Sequence, residues 1–502
     1  MNVLLITADH MRSDALGCNR AEAPDSALAH AIRTPVLDRL AREGANFLRA
    51  YSPNPICVPA RASITTGNYA HTCTGELAND GTIAPDEDKI AERFAAAGYW
   101  TAAIGKLHYL PYAGPGAPRL VHGFAHCEIN EEGRMLGQFD PEGRRRGIED
   151  YHDWLADRGW GGYERAHGVG NNDVHPSASP LPAELHEEAW VAERSIAALQ
   201  ARAAAGDERP FFLWASFAKP HSPYDPPRPW DAMYDPRTLP APAGLDAATE
   251  LLADRQPELR RRGSSFAWDS LSPQAIQNIR AHYAGLVSFQ DQQIGRLVHQ
   301  LEEQGLLEQT IIIYTADHGD LLGDFGLFFK RTMLEGSVRV PMIWRVPGLT
   351  DAAPGERRHL VGLQDILPTL AGLCGLSLSG PKHGRDLSAV LARSDAPGRA
   401  DIVSETVGGT YMVRDERHKY IYHREGGVEE LYDLQADPAE LDNQAGFPAQ
   451  VERLAGLRRR LVAWARETGH DQLLVGDALA CDPLDDRRRV SFNARQMGWR
   501  KY

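Results

Sequence analysis

The sequence predicts an α/β fold. A large, mainly parallel central sheet flanked by helices is followed by a smaller C-terminal α+β subdomain with an antiparallel sheet. Three observations carry this prediction. Apolar runs at Val3–Thr7, Phe211–Phe217 and Thr310–Thr315 each stop at charged residues, as buried parallel strands do. Helical periods stand between them, at 187–203 and 276–304. From about residue 385, short strands at 401–405, 410–414 and 419–423 replace the βα rhythm, which marks a separate α+β unit.

Composition narrows the class. The chain has 502 residues, 43% hydrophobic and 24% charged, an ordinary globular balance. Length alone suggests two or three domains, although large α/β units can hold most of such a chain. The expected division is 1–384, with an irregular insertion at about 110–185, then 385–480, then a polar tail at 481–502 that suits an oligomer contact. A net charge of −14 argues against nucleic-acid and anionic-membrane partners. The six cysteines, at 18, 57, 73, 127, 374 and 481, have no paired or metal-type spacing, so a reduced compartment is expected. Met1 to Thr7 is too short for a leader and runs straight into Ala8-Asp9-His10. No apolar run spans a bilayer, so the expectation is a cytoplasmic protein with no membrane partner.

Taken in order, the first strand ends at Asp9 and His10, the place where open α/β sheets bind ligands. A helix-capping Asp is the plain alternative. Thr34-Pro35 opens a helix that Gly44 closes. The stretch Pro55 to Gly67 places Cys57 at a helix mouth, since Pro59 suits a first turn, and Arg61 falls on the same face. That suits an activated thiolate, or simply a buried Cys before a helix. Asn79 lies in a polar loop. Ile90–Ala97 reads as a helix and Tyr99–Ile104 as a strand. Lys106 and His108 follow, and on an extended segment they point the same way. Residues 110–185 have no regular period, so substrate selection or an oligomer contact is expected there. Lys219 and His221 follow the 211–217 strand, with His221 the stronger candidate. Asp317-His318-Gly319 follows the 310–315 strand. An Asp-His pair beside a close-approach Gly suits a metal site. Lys330 and Glu335 lie in the next loop. The arginine triplets at 144–146, 260–262, 458–460 and 487–489 read as solvated surfaces or ion pairs.

Cys57-Val58-Pro59-Ala60-Arg61 with Ala62-Ser63-Ile64-Thr65-Thr66-Gly67 resembles the signature of the formylglycine-dependent sulfatases, of the alkaline phosphatase superfamily. Gly98-Tyr99-Trp100-Thr101…Gly105-Lys106-Leu107-His108 resembles their second signature, and Leu431-Tyr432-Asp433-Leu434 a phrase of their C-terminal subdomain. The resemblance implies an alkaline-phosphatase-like fold and hydrolysis of a sulfate monoester to alcohol and inorganic sulfate. Cys57 would become formylglycine through a maturation enzyme, and its hydrated aldehyde would be the nucleophile. Asp9, His10, residue 57, Asp317 and His318 would hold one divalent ion, Ca2+ or Mn2+. His10 departs from the family's Asp or Gln, and imidazole suits manganese better than calcium. Arg61, Lys106 and Lys330 would stabilise sulfuryl charge, His221 with Lys330 would protonate the leaving oxygen, and His108 would act as base. Asn79, Lys106, His221 and Lys330 would contact substrate. Glu335 would orient its loop. A homo-oligomer is expected.

Two rivals remain open at this stage. A phosphonate monoester or phosphodiester hydrolase of the same superfamily shares nucleophile and metal but lacks the Lys-x-His pair. A non-catalytic binding protein on this fold would keep Cys57 unmodified.

Overall fold

The computed structural model describes residues 1–24, 26–109, 119, 121–139, 146–245, 271–350 and 353–483. Its strands follow the sequence closely. They are β1 (Asn2–Asp9), β2 (Ala45–Tyr51), β3 (Trp100–Gly105), β4 (His126–Ile129), β5 (Phe211–Pro220), β6 (Thr310–Ala316), β7 (Arg339–Val340), β8 (Met342–Arg345) and β9 (Gly355–Gly362). Among the described residues they form one nine-stranded sheet in the order β4-β3-β5-β1-β6-β8-β2-β7, with β9 on β2. From β4 to β6 every pairing is parallel, while β8 runs antiparallel to both β6 and β2. Every residue of β1, β5 and β6 is buried, which explains their unbroken apolar runs.

Helices cover the sheet. In α1 (Pro35–Glu43) the side chain of Thr34 does not cap the helix. The Asp291 carboxylate does so instead, accepting from Val36 and Leu37 N–H at 3.1 and 2.8 Å. Asp291 belongs to the 31-residue helix Pro273–Glu303, so one helix supplies the other's cap. α2 (Cys57–Thr66) is buried over all its residues and ends at Gly67 in the left-handed region, a common helix stop. Four strands, β10 (Asp401–Thr406), β11 (Thr410–Asp415), β12 (His418–His423) and β13 (Val428–Asp433), make a separate antiparallel sheet. The helix Val451–Thr468 packs on it through Leu454, Leu457, Leu461 and Trp464.

The 110–185 region holds more order than its sequence suggests. It contributes β4 and the helices Arg134–Phe139 and Asp150–Asp157. The arginine triplets are surface pairs where described. Arg146 meets Asp157 at 2.6 Å and Arg460 meets Asp401 at 2.8 Å. The 260–262 and 487–489 triplets, and the tail from 484, lie outside the described residues. No helix among the described residues is long and apolar enough to cross a membrane.

Gly105 marks where β3 reaches the site. Its φ is +108°, and a Cβ there would stand 1.9 Å from Ser216 O. Gly98 has φ +84° but open space around it. Gly105→Ala should therefore cost about 3 kcal/mol or more, against about 1 kcal/mol for Gly98→Ala. Thermal unfolding of the two variants side by side checks the ranking.

Candidate active site

The site forms where parallel strands end. β1 and β6 pair in register through Ala8 and Ala316, so Asp9 and Asp317 emerge side by side. Cys57, the first residue of α2, faces them. Its Sγ lies 3.2 Å from His318 Nε2 and 3.8 Å from Asp9 Oδ1. His318 Nε2 stands 3.6 Å from Asp9 Oδ1 and 3.7 Å from Asp317 Oδ1. All four side chains are buried, with ligand atoms within 4.8 Å of one another. His318 Nδ1 donates to Gly319 O at 3.0 Å, leaving the Nε2 lone pair turned inward. Two carboxylates, an imidazole lone pair and a sulfur facing one buried point call for a cation. This donor set fits a divalent ion. Gly319 earns its place too, because a Cβ there would meet Gly336 O at 2.1 Å.

Buried cations interleave with these acids. Arg61 Nε donates to Asp317 Oδ2 at 2.9 Å, and Nη1 to Ser216 Oγ at 2.8 Å. Lys106 Nζ pairs with Asp9 and, at 2.9 Å, with Glu132 Oε2. Burial and Arg134 oppose the Lys106 ammonium, but Asp9 and Glu132 outweigh them and raise its pKa. Burial would likewise push Asp9 up, yet Lys106 and the neighbouring imidazoles hold it well below the usual carboxylate range. For the unmodified Cys57 thiol, burial and Asp9 push up, while Lys330 and His318 bring it below its ordinary value.

A second group stands beside the first. His10, at φ +65°, donates through Nδ1 to Asp320 Oδ2 at 2.7 Å. Its Nε2 meets Lys330 Nζ. Burial and then Lys330 push its pKa down to about 3. The ring lies 4.1 Å from that of His221, and Asp9, His10 and His221 form their own donor set. His221 Nδ1 donates to Ser222 O at 2.7 Å, so its Nε2 accepts. Lys330 Nζ and Arg134 Nη2 each lie 3.4 Å from that nitrogen.

A family model described as Sulfatase matches residues 1–376. The chain belongs to the sulfatase family. It is an enzyme of that family, and a model described as N-sulphoglucosamine sulphohydrolase, C-terminal, matches residues 323–467. An arylsulfatase of Clostridium perfringens is 32% identical, covering 95% of this chain and 97% of its own. A choline-sulfatase of Rhizobium meliloti is 28% identical over 89% of this chain and 83% of its own. The phosphonate monoester hydrolase SpPMH from Silicibacter pomeroyi superposes with a TM-score of 0.78 at 26% identity, over 93% and 95% of the two chains.

Within this sulfatase-family site, most sequence candidates meet. Asp9, Cys57, Arg61, Lys106, Asp317 and His318 form one group, and His10, His221 and Lys330 the adjoining one. His108 arrives by a different route from the one expected. β3 stops at Gly105, and His108 has φ +58°, so a left-handed turn and not strand alternation aims it. Its Nδ1 is buried and has no hydrogen-bond partner. Burial, Lys106, Arg134 and Arg61 hold its pKa well below the ordinary value. Asn79 Oδ1 accepts from Val58 N–H at 3.1 Å, satisfying a free donor at the mouth of α2. Lys219 serves structure, paired with Asp225 at 2.9 Å and Glu187 at 3.2 Å.

Sequence reading missed Glu131, Glu132 and Arg134. They follow β4 inside the region that looked irregular. Glu131 Oε1 accepts from Leu107 and His108 N–H at 3.0 and 2.8 Å, and burial pushes its pKa up to about 7. Glu132 Oε2 joins Lys106 to Arg134, the latter at 2.6 Å. The available signal was an Asn-Glu-Glu-Gly-Arg run closing a short strand. Glu132→Gln removes the counter-charge shared by two cations. It should lower kcat/KM on an aryl sulfate by about 10- to 100-fold and lower the unfolding temperature as well. Steady-state kinetics and a thermal scan check both.

Proposed function

We propose that the protein hydrolyses a sulfate monoester, with Cys57 matured to formylglycine as nucleophile and one divalent ion held by Asp9, Asp317, His318 and residue 57. The observation that carries this reading is the convergence of Cys57 with three metal-type donors at the mouth of α2. The bound ion would supply Lewis acidity to the nucleophilic hydroxyl and the sulfuryl oxygens. The His318 imidazole departs from the all-oxygen ligand set that calcium prefers, whereas His10 is taken up by Asp320 and Lys330.

The chain's own residues divide the remaining work. Arg61 and Lys106 hold Asp317 and Asp9 in place and set a positive field over the sulfuryl group. Asn79 fixes the helix mouth beside the substrate. His108, whose buried Nδ1 has no hydrogen-bond partner, is the candidate base toward residue 57. Burial and then His10, Lys106 and Lys330 keep His221 neutral. Lys330 Nζ stands 3.4 Å from His221 Nε2, and the two together are the groups placed to serve the leaving oxygen. A small-molecule sulfate ester and a formylglycine-generating enzyme are the implied partners.

The phosphonate reading has its own support in the SpPMH superposition. The Lys106–His108 pair favours sulfate over it.

The mass of the tryptic peptide holding Cys57 should show the aldehyde and its hydrate. An intact thiol in active protein would overturn the mechanism. Cys57→Ser should keep substrate affinity and lose turnover by at least about 1,000-fold. Wild-type rates on phenyl sulfate should exceed those on phenyl phosphonate monoesters, and the reverse order would favour the second reading. Chelation should abolish turnover, with Mn2+ restoring more of it than Ca2+.

A further inference from the structure

Arg134 is a cation that the sulfate-ester reading does not use. Its Nη1 is anchored on Glu132 Oε2 at 2.6 Å, and its Nη2 stands 3.4 Å from His221 Nε2. Lys330 Nζ stands at the same distance from that nitrogen. The three groups surround the place where the ester's leaving oxygen would sit. They differ in depth. The His221 ring is 1% exposed, Lys330 is 8% exposed, and the Arg134 side chain is 23% exposed. Glu132, which anchors Arg134, is fully buried beneath it. Arg134 is thus partly exposed, while the carboxylate that anchors it is buried.

A planar guanidinium anchored along one edge has its remaining N–H groups fixed in direction. Such a fork suits an anionic oxygen group, which it can hold bidentately. Arg165 reinforces the field. It is half-buried and reaches Glu132 O at 3.5 Å through Nη2. An ammonium on the leaving group would instead meet the like charges of Arg134 and Lys330 beside His221 Nε2.

Resting on the sulfate-ester reading, we propose that Arg134 is a specificity-determining residue that binds an anionic oxygen substituent, a carboxylate or second sulfate, on the leaving group. Substrates with a cationic leaving group of the choline kind are disfavoured by the same charge.

Binding calorimetry on full-length Cys57→Ala protein tests this without turnover. The probes are phenyl sulfate, meta-carboxyphenyl sulfate, resorcinol bis-sulfate and choline-O-sulfate. At least one of the two anionic probes should bind about tenfold or more tightly than phenyl sulfate, and which one does so separates carboxylate from sulfate recognition. Choline-O-sulfate should bind most weakly. Adding Arg134→Gln should bring the favoured anionic probe within about twofold of phenyl sulfate, and Arg134→Lys should keep part of the preference. Equal affinity for all probes, a preference that survives Arg134→Gln, an equal loss on every probe, or tighter binding of choline-O-sulfate than of phenyl sulfate would overturn the proposal. Sulfate release by the matured wild type is a separate measurement. A protein that cleaves phosphonates instead would fail the sulfate reading, and the probe ratios would still decide the role of Arg134.

Discussion

Two aspartates forced together by strand register are the constraint on which the rest of the site depends. The β1–β6 pairing puts Asp9 beside Asp317 in a spot with no exposure. Like charges about 4 Å apart repel by roughly 4 kcal/mol at an effective dielectric constant near 20, and desolvation adds to that cost. The surrounding structure answers with alternating charge. Arg61 lies on Asp317, Lys106 on Asp9, Glu132 on Lys106 and Arg134 on Glu132. Removing one member strands its neighbour without counter-charge, at about 3–5 kcal/mol for a buried pair. The same crowding of donors makes the point attractive to a divalent cation.

The chain beyond the strand ends exists largely to hold this charge pattern still. Tyr283, on the long helix, donates to His10 O at 2.8 Å and accepts from Arg12 N–H at 3.0 Å. This secures the left-handed turn at His10. Asp320 accepts from His10 and from Tyr224 OH, both at 2.7 Å, which fixes the imidazole tautomer. Two sectors result. One gathers donors around residue 57, and the other gathers Lys330 and Arg134 around His221 Nε2.

The antiparallel sheet supports the second sector from outside. Lys419 on β12 donates to Met333 O at 2.8 Å and pairs with Glu335 at 2.6 Å and Glu440 at 2.9 Å. These contacts tie the loop that carries Lys330 to β12. Nearby, His71 meets Glu405 on β10 at 2.8 Å. The segment after α2 is thereby tied to the same sheet.

The sequence by itself determined the strands, the helices and most of the side chains that converge on the candidate site. Buried parallel strands need unbroken apolar runs, and ligand-binding residues collect at their carboxyl ends, so Asp9, Lys106, His221, Asp317 and His318 could be located by local pattern alone. Cys57 and Arg61 were legible for a similar reason, because a helix mouth is a short-range feature. Only the tertiary structure decided which of these groups touch. Strand order is a long-range property, and it alone sets Asp9 against Asp317 and Lys106. It also decided how His108 is aimed, since a left-handed turn at a non-glycine residue leaves no periodic trace. Glu131, Glu132 and Arg134 escaped because β4 is short and its neighbours are irregular. Glu132 acts as a counter-charge 26 residues from Lys106 in the chain, which no local spacing encodes.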